Sequence, residues 1–142
     1  MKKTIIILFF TLSTLLSSGS LFAENINGYE IKPDADLANA NLQGANLQGA
    51  NLEGSTLFSA NLQNANLSDA NLKMTNLQKA NLQNANLSNA NLLNALLRNA
   101  NLQNANLQGA NFIGTRTYKV NLQGATCVNG LKFSGSIEKC LR

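Results

Sequence analysis

The chain contains no histidine and no tryptophan, and seven acidic residues against eleven basic ones in 142. Without histidine, metal sites built from His and Cys clusters are excluded, and so is a Ser–His or Cys–His nucleophile. The two cysteines, Cys127 and Cys140, form no CxxC motif, so a redox-active pair has no histidine and no spacing to support it. No glycine-rich loop leads into a helical stretch, which removes the usual phosphate cradle. These absences point away from an enzyme, and no cofactor or metal is expected.

What the chain has is one five-residue phrase. From Ala35 to Gly124 it recurs in eighteen consecutive copies, beginning ADLAN, ANLQG, ANLQG, ANLEG and ending VNLQG. The third position is Leu in sixteen copies, with Phe112 and Thr117 in the other two. Small, polar and large apolar residues alternate over the first three positions, which is the period of a strand. Strict alternation carried past five residues would send the next Leu to the opposite face. A helix fails as well, because five steps of about 100° leave successive Leu roughly 140° apart. The period is consistent only if the chain turns a corner every five residues and returns each Leu to a common axis. Gly and Asn crowd the fifth position, where a turn asks for unusual backbone angles.

These phrases resemble the pentapeptide-repeat family, whose signature is A(D/N)LXX. The resemblance covers Ala35–Gly124 and implies an all-β fold, a right-handed quadrilateral β-helix with four phrases per turn. Departures from the signature give an independent check. Ser55, Thr75 and Thr115 replace Ala, while Thr56, Leu96 and Arg116 replace Asn, all in phrases twenty residues apart. A four-sided coil stacks them on one side. About four and a half coils are expected, spaced by about 4.8 Å into a rod on the order of 20 Å long. The Leu and Ala ladders would fill a narrow dry core, and Asn ladders would exchange amide hydrogen bonds between coils.

The flanks read differently. Met1–Ala23 has the charged start (Lys2, Lys3), apolar core (Thr4–Leu16) and weakly polar exit of a secretory signal peptide. Its core is short for a membrane span of roughly 20 residues, and no Cys follows it as a lipid anchor would need. Export to the periplasm or the extracellular space of a bacterium is expected, with no transmembrane segment left after cleavage. Residues 24–34 are expected to cap the first coil, with Tyr29, Ile31 and Pro33 lying over Leu37 and Leu42. The helix proper is assigned to 35–126. Residues 127–142 are read as a C-terminal cap stapled by a Cys127–Cys140 disulfide, the usual state of two cysteines in an exported chain.

Mapped onto four sides, the outward positions sort into two kinds. The side starting at Ala40 carries Gln43, Gln63, Gln83, Gln103 and Gln123, and the next carries Gln48, Ser68, Ser88 and Gln108; both read as solvated walls. The other two adjoin each other and gather Phe58, Met74, Leu93, Leu96, Ile113 and Tyr118 with Lys79, Arg98, Arg116 and Lys119. An apolar area with basic neighbours marks a contact surface for a protein partner or a second copy of the chain. The alternative is an anionic envelope or extracellular polymer held by the basic residues. The resemblance also brings in topoisomerase protection by imitation of DNA, a role of some family members. Such a mimic should be acidic, whereas this chain is basic, so that role ranks last and nucleic acid is not expected as a partner.

Overall fold

The computed structural model describes residues 24–133 and 135–141; the expected signal peptide, Met1–Ala23, lies outside them. From Asp36 to Thr126 the second residue of each phrase bridges in parallel to the residue twenty positions on, as in the series Asp36, Thr56, Asn76, Leu96 and Arg116. That spacing is the one the substitutions displayed. Four phrases therefore make one turn.

The backbone of a middle phrase shows why five residues suffice. The Ala80 N–H closes the corner on Leu77 O at 3.1 Å, and Asn81 N donates to Ala60 O of the coil before at 2.9 Å. Leu82 N and Asn84 N donate to Asn101 O and Gln103 O of the coil after, at 2.7 and 2.9 Å. One donor remains, Gln83 N, and the Asn81 side chain takes it at 3.2 Å. All five donors are satisfied, two by neighbours ahead, one by the neighbour behind and two within the corner. The second-position Asn also reaches between coils: Asn106 donates to Asn86, and Asn86 to Asn66, at 3.1 and 3.3 Å.

The twelve ladder leucines from Leu42 to Leu97 are at most 1 % exposed. Each such burial stabilises by about 1.5–3 kcal/mol relative to leaving the side chain in water. Two of the hydroxyls that replace Ala in the second ladder, Ser55 and Thr75, are buried too, and each finds a backbone partner. Thr75 Oγ1 donates to Leu52 O at 2.9 Å. Ser55 Oγ donates to Lys32 O at 3.1 Å and accepts from Ala35 N at 3.2 Å.

Residues 24–31 form a hairpin that the sequence reading left without an element. Strand β1 (Glu24–Ile26) pairs antiparallel with β2 (Tyr29–Ile31). Asn27 and Gly28 turn between them at φ 54° and 84°. Two successive positive angles on Asn-Gly are the signature of a two-residue hairpin, a signal present in the letters. Ile31 is buried against the first coil and the Tyr29 hydroxyl accepts from Asn41 N at 3.3 Å. Pro33, expected to lie over the core beside them, is exposed instead, because the chain at that point is already turning into the first phrase.

At the other end Cys127 and Cys140 are joined by a disulfide across a Cα separation of 4.7 Å. The intervening chain folds back: Thr126 bridges Lys132 antiparallel, and Phe133 N donates to Ala125 O at 2.8 Å. Phe133, Ile137 and Leu141 rest against the core. One helical turn, α1 (Ile137–Cys140), starts at Ser136, whose hydroxyl accepts from Lys139 N. It is the one departure from an all-β chain among the described residues.

Candidate functional site

The side starting at Ala35 brings its aromatic and cationic residues into direct contact. Lys79 Nζ lies 5.1 Å from the centre of the Phe58 ring. The Arg98 guanidinium lies 5.2 Å from the centre of the Tyr118 ring, and Lys119 Nζ 5.4 Å from it. Each pair spans or shares a coil, so the stacking of phrases sets the ring under the cation; such contacts contribute about 0.5–1 kcal/mol at exposed positions. Leu96, Arg98, Arg116 and Tyr118 together with Gln78 line a groove of about 250 Å³.

The adjoining side carries the remaining members. Met74 and Ile113 are 58 and 71 % exposed on it and Leu93 is half-buried, while on the first side Tyr118 is 59 % exposed and Phe58 and Leu96 are half-buried. Glu53 and Lys73 pair on that side at 2.8 Å. The Lys73 ammonium, with the Asn71 amide at 3.1 Å, holds the Glu53 carboxyl below its ordinary 4.5. All ten surface residues singled out in the sequence therefore sit on two adjoining sides, in two groups. One is the cation–ring cluster with its groove. The other is the apolar flank of Met74, Leu93 and Ile113.

Three features were not read from the letters. Gln78 joins the groove although its type suggested a solvated wall. Leu131 is 68 % exposed beside an open hollow of about 750 Å³ around the disulfide, lined also by Lys132, Glu138 and Lys139. The third is a set of backbone donors. Leu96 and Arg116 stand where Asp36 and Asn76 place an acceptor on the same side, so Arg98 N and Tyr118 N lack the side-chain cap that Gln78 N receives from Asn76 at 3.2 Å, as does Phe58 N after Thr56. The substitutions were visible; their consequence needed the hydrogen-bond pattern of the regular phrase.

The model of the pentapeptide repeats matches residues 35–73 and 75–114 in eight copies. The chain belongs to the pentapeptide-repeat family. A solved member, Rfr23 from the cyanobacterium Cyanothece 51142, is 44 % identical over 66 % of this chain and 64 % of its own, with a TM-score of 0.62. HetL from Nostoc sp. strain PCC 7120, a family member involved in heterocyst differentiation regulation, is 38 % identical over 69 % of this chain and 43 % of its own, with a TM-score of 0.45. QnrB1, a plasmid-mediated fluoroquinolone resistance protein, is 15 % identical over 66 % of this chain and 61 % of its own, with a TM-score of 0.52, and shares the fold alone. The chain thus spans less than two thirds of the length of these relatives. Comparison with curated proteins gives no match. The family's right-handed β-helix is the architecture to which the four-sided coil belongs.

Proposed function

We propose that this pentapeptide-repeat protein is an exported, non-enzymatic scaffold that contacts a partner protein through its apolar and basic half. Its helix runs for about four and a half coils between an N-terminal cap at 24–34 and a disulfide-stapled cap at 127–142. The observation that carries the reading is the segregation of side chains. Two sides present Gln, Ser and Asn, while the exposed Met74, Ile113 and Tyr118 and the half-buried Phe58, Leu93 and Leu96 share the other two. Apolar surface gathered in this way and rimmed by charge marks a contact site. No helix among the described residues is long and apolar enough to cross a membrane.

Phe58→Glu and Leu93→Glu each put a charge on the surface without touching the Leu ladder. Both variants should keep their circular dichroism and lose capture of the partner in a pull-down from the native host. Capture retained by both would end this reading.

A second reading, an anionic envelope or extracellular polymer, is favoured by four cations at Lys79, Arg98, Arg116 and Lys119. Its binding should weaken steeply with salt, whereas apolar docking should not. Topoisomerase protection by a DNA mimic has the fold of QnrB1 behind it and the chain's excess of basic over acidic residues against it.

A further inference from the structure

Wherever Asn or Asp holds the second position of a phrase, its side-chain oxygen takes the N–H two residues on, as from Asn76 to Gln78 and from Asn81 to Gln83, at 3.2 Å in both. The direction of that N–H follows: it points to the outer surface, where the side chain lies. At Leu96 and Arg116 there is no side-chain acceptor, so Arg98 N and Tyr118 N point to the same surface without a partner among the described residues. The two donors stand on successive coils, joined by the Leu96–Arg116 bridge and about 4.8 Å apart. Around them Arg98 and Arg116 line the groove with Leu96 and Tyr118, the Arg98 guanidinium lying over the Tyr118 ring. Among the described residues, the ion pairs are Lys32–Glu30 and Lys73–Glu53, and neither involves Lys79, Arg98, Arg116 or Lys119. Outward backbone donors next to two unpaired guanidiniums recognise a carboxylate, which can accept from both kinds at once.

We propose that this groove binds a glutamate or aspartate carboxylate from an extended acidic segment of a partner protein, its oxygens taking the place of the missing Asn caps. This rests on the protein-interface reading and names its chemistry. A peptide is favoured over a charged polymer because apolar surface adjoins the carboxylate position on the side that precedes Arg98 in each coil. Leu96 lines the groove, and Met74, Leu93 and Ile113 form the adjoining flank, surface that apolar side chains cover and hydroxyl-rich chains do not.

The test follows backbone amide resonances of the disulfide-bonded protein, purified after export. The probe is a capped four-residue peptide alternating glutamate and leucine. The Arg98 and Tyr118 amides should shift and saturate, and replacing the glutamates by glutamine should weaken binding about tenfold or more. Leu96→Asn and Arg116→Asn restore the family residue and its cap, so both variants should fold, and each should weaken the probe by a similar factor. Shifts confined to other parts of the rod, or binding unchanged in both Asn variants, would overturn the proposal. Polygalacturonate saturating the same two amides at lower concentration would also overturn it, in favour of a polymer. The two readings fail separately. If Phe58→Glu abolishes capture while the two amides stay still, the interface stands and the carboxylate site falls; if capture survives both charged variants, the interface itself falls.

Discussion

Met74 and Lys79 hold φ of 57° and 58° in a position where most other copies place Asn or Gly. All eighteen fifth positions are left-handed, with φ between 55° and 71°, so the corner dictates the angle whatever residue occupies it. A side chain without Asn's local hydrogen bonding is disfavoured there by about 1–2 kcal/mol. Met74→Asn should therefore raise the free energy of unfolding by about 1 kcal/mol in urea titrations. The same change removes exposed apolar surface and should weaken partner capture. A variant that loses stability would show that Met74 packs on its neighbours enough to offset its strain. Glu53 offers a second test at this scale. Its folded value is lowered, chiefly by the hydrogen bond from Lys73 and next by that from Asn71, so the pairing stabilises the fold above the carboxyl's unfolded value. It is lost as pH falls through the folded one. Lys73→Gln should raise the Glu53 titration midpoint towards 4.5, followed by the carboxyl carbon resonance. A midpoint that stays put would assign the lowering to Asn71 alone.

At the scale of the phrase, Leu and Asn divide the labour. Leu87 is fully buried, so Leu87→Ala should cost about 2–5 kcal/mol through lost transfer energy and a cavity that neighbouring coils fill only in part. Asn86 caps Ser88 N at 3.2 Å, accepts from Asn106 and donates to Asn66. Water can replace these partners at a half-exposed position, so Asn86→Ala should cost less, about 1–2 kcal/mol. Chemical denaturation of the two variants checks the order, and equal costs would mean that the ladders hold the coils together as strongly as the core does. This division explains what was legible in the sequence. A repeat in which the same five donors find the same partners every time exposes its fold in its period, and the twenty-residue recurrence of Ser55, Thr75 and Thr115 exposed the four sides. The grouping of the surface residues followed from that geometry. Positions that break the rule were harder. No register constrains the lead-in, so nothing in the letters holds Pro33 off the core, and the Asn27–Gly28 hairpin lies outside the repeat. The uncapped N–H groups of Arg98 and Tyr118 could not be seen until the task of the normal Asn was known. Lys79 over Phe58 and Arg98 over Tyr118 depend on rotamers, which no spacing fixes.

Over the whole molecule, each coil touches only the coil before and the coil after, so stability is a sum along one dimension and the ends decide where unravelling begins. The first coil is held by the buried Ile31 and the bond from Asn41 N to Tyr29. The last has Thr117 in place of Leu in its inward ladder, only half-buried, and relies on Phe133, Ile137 and Leu141 from the returning tail. Closing the thirteen-residue separation between Cys127 and Cys140 restricts the unfolded chain and stabilises by about 3 kcal/mol on the chain-entropy model. That gain belongs to the end it closes. Replacing both cysteines by alanine should speed amide exchange at Arg116, Asn121 and Thr126, which donate to Ala95, Ala100 and Ala105 in the coil below. Asn81 N, donating to Ala60 O and about two coils from the tail's core contacts, should exchange at nearly the original rate. A uniform loss of protection would mean that the coils melt as one unit, and that the disulfide stabilises the rod as a whole and not its end. A graded loss would make the C-terminal coil the first to open, and that coil carries Arg116, Tyr118 and Lys119. The state of the disulfide would then govern the basic surface as well as the stack beneath it.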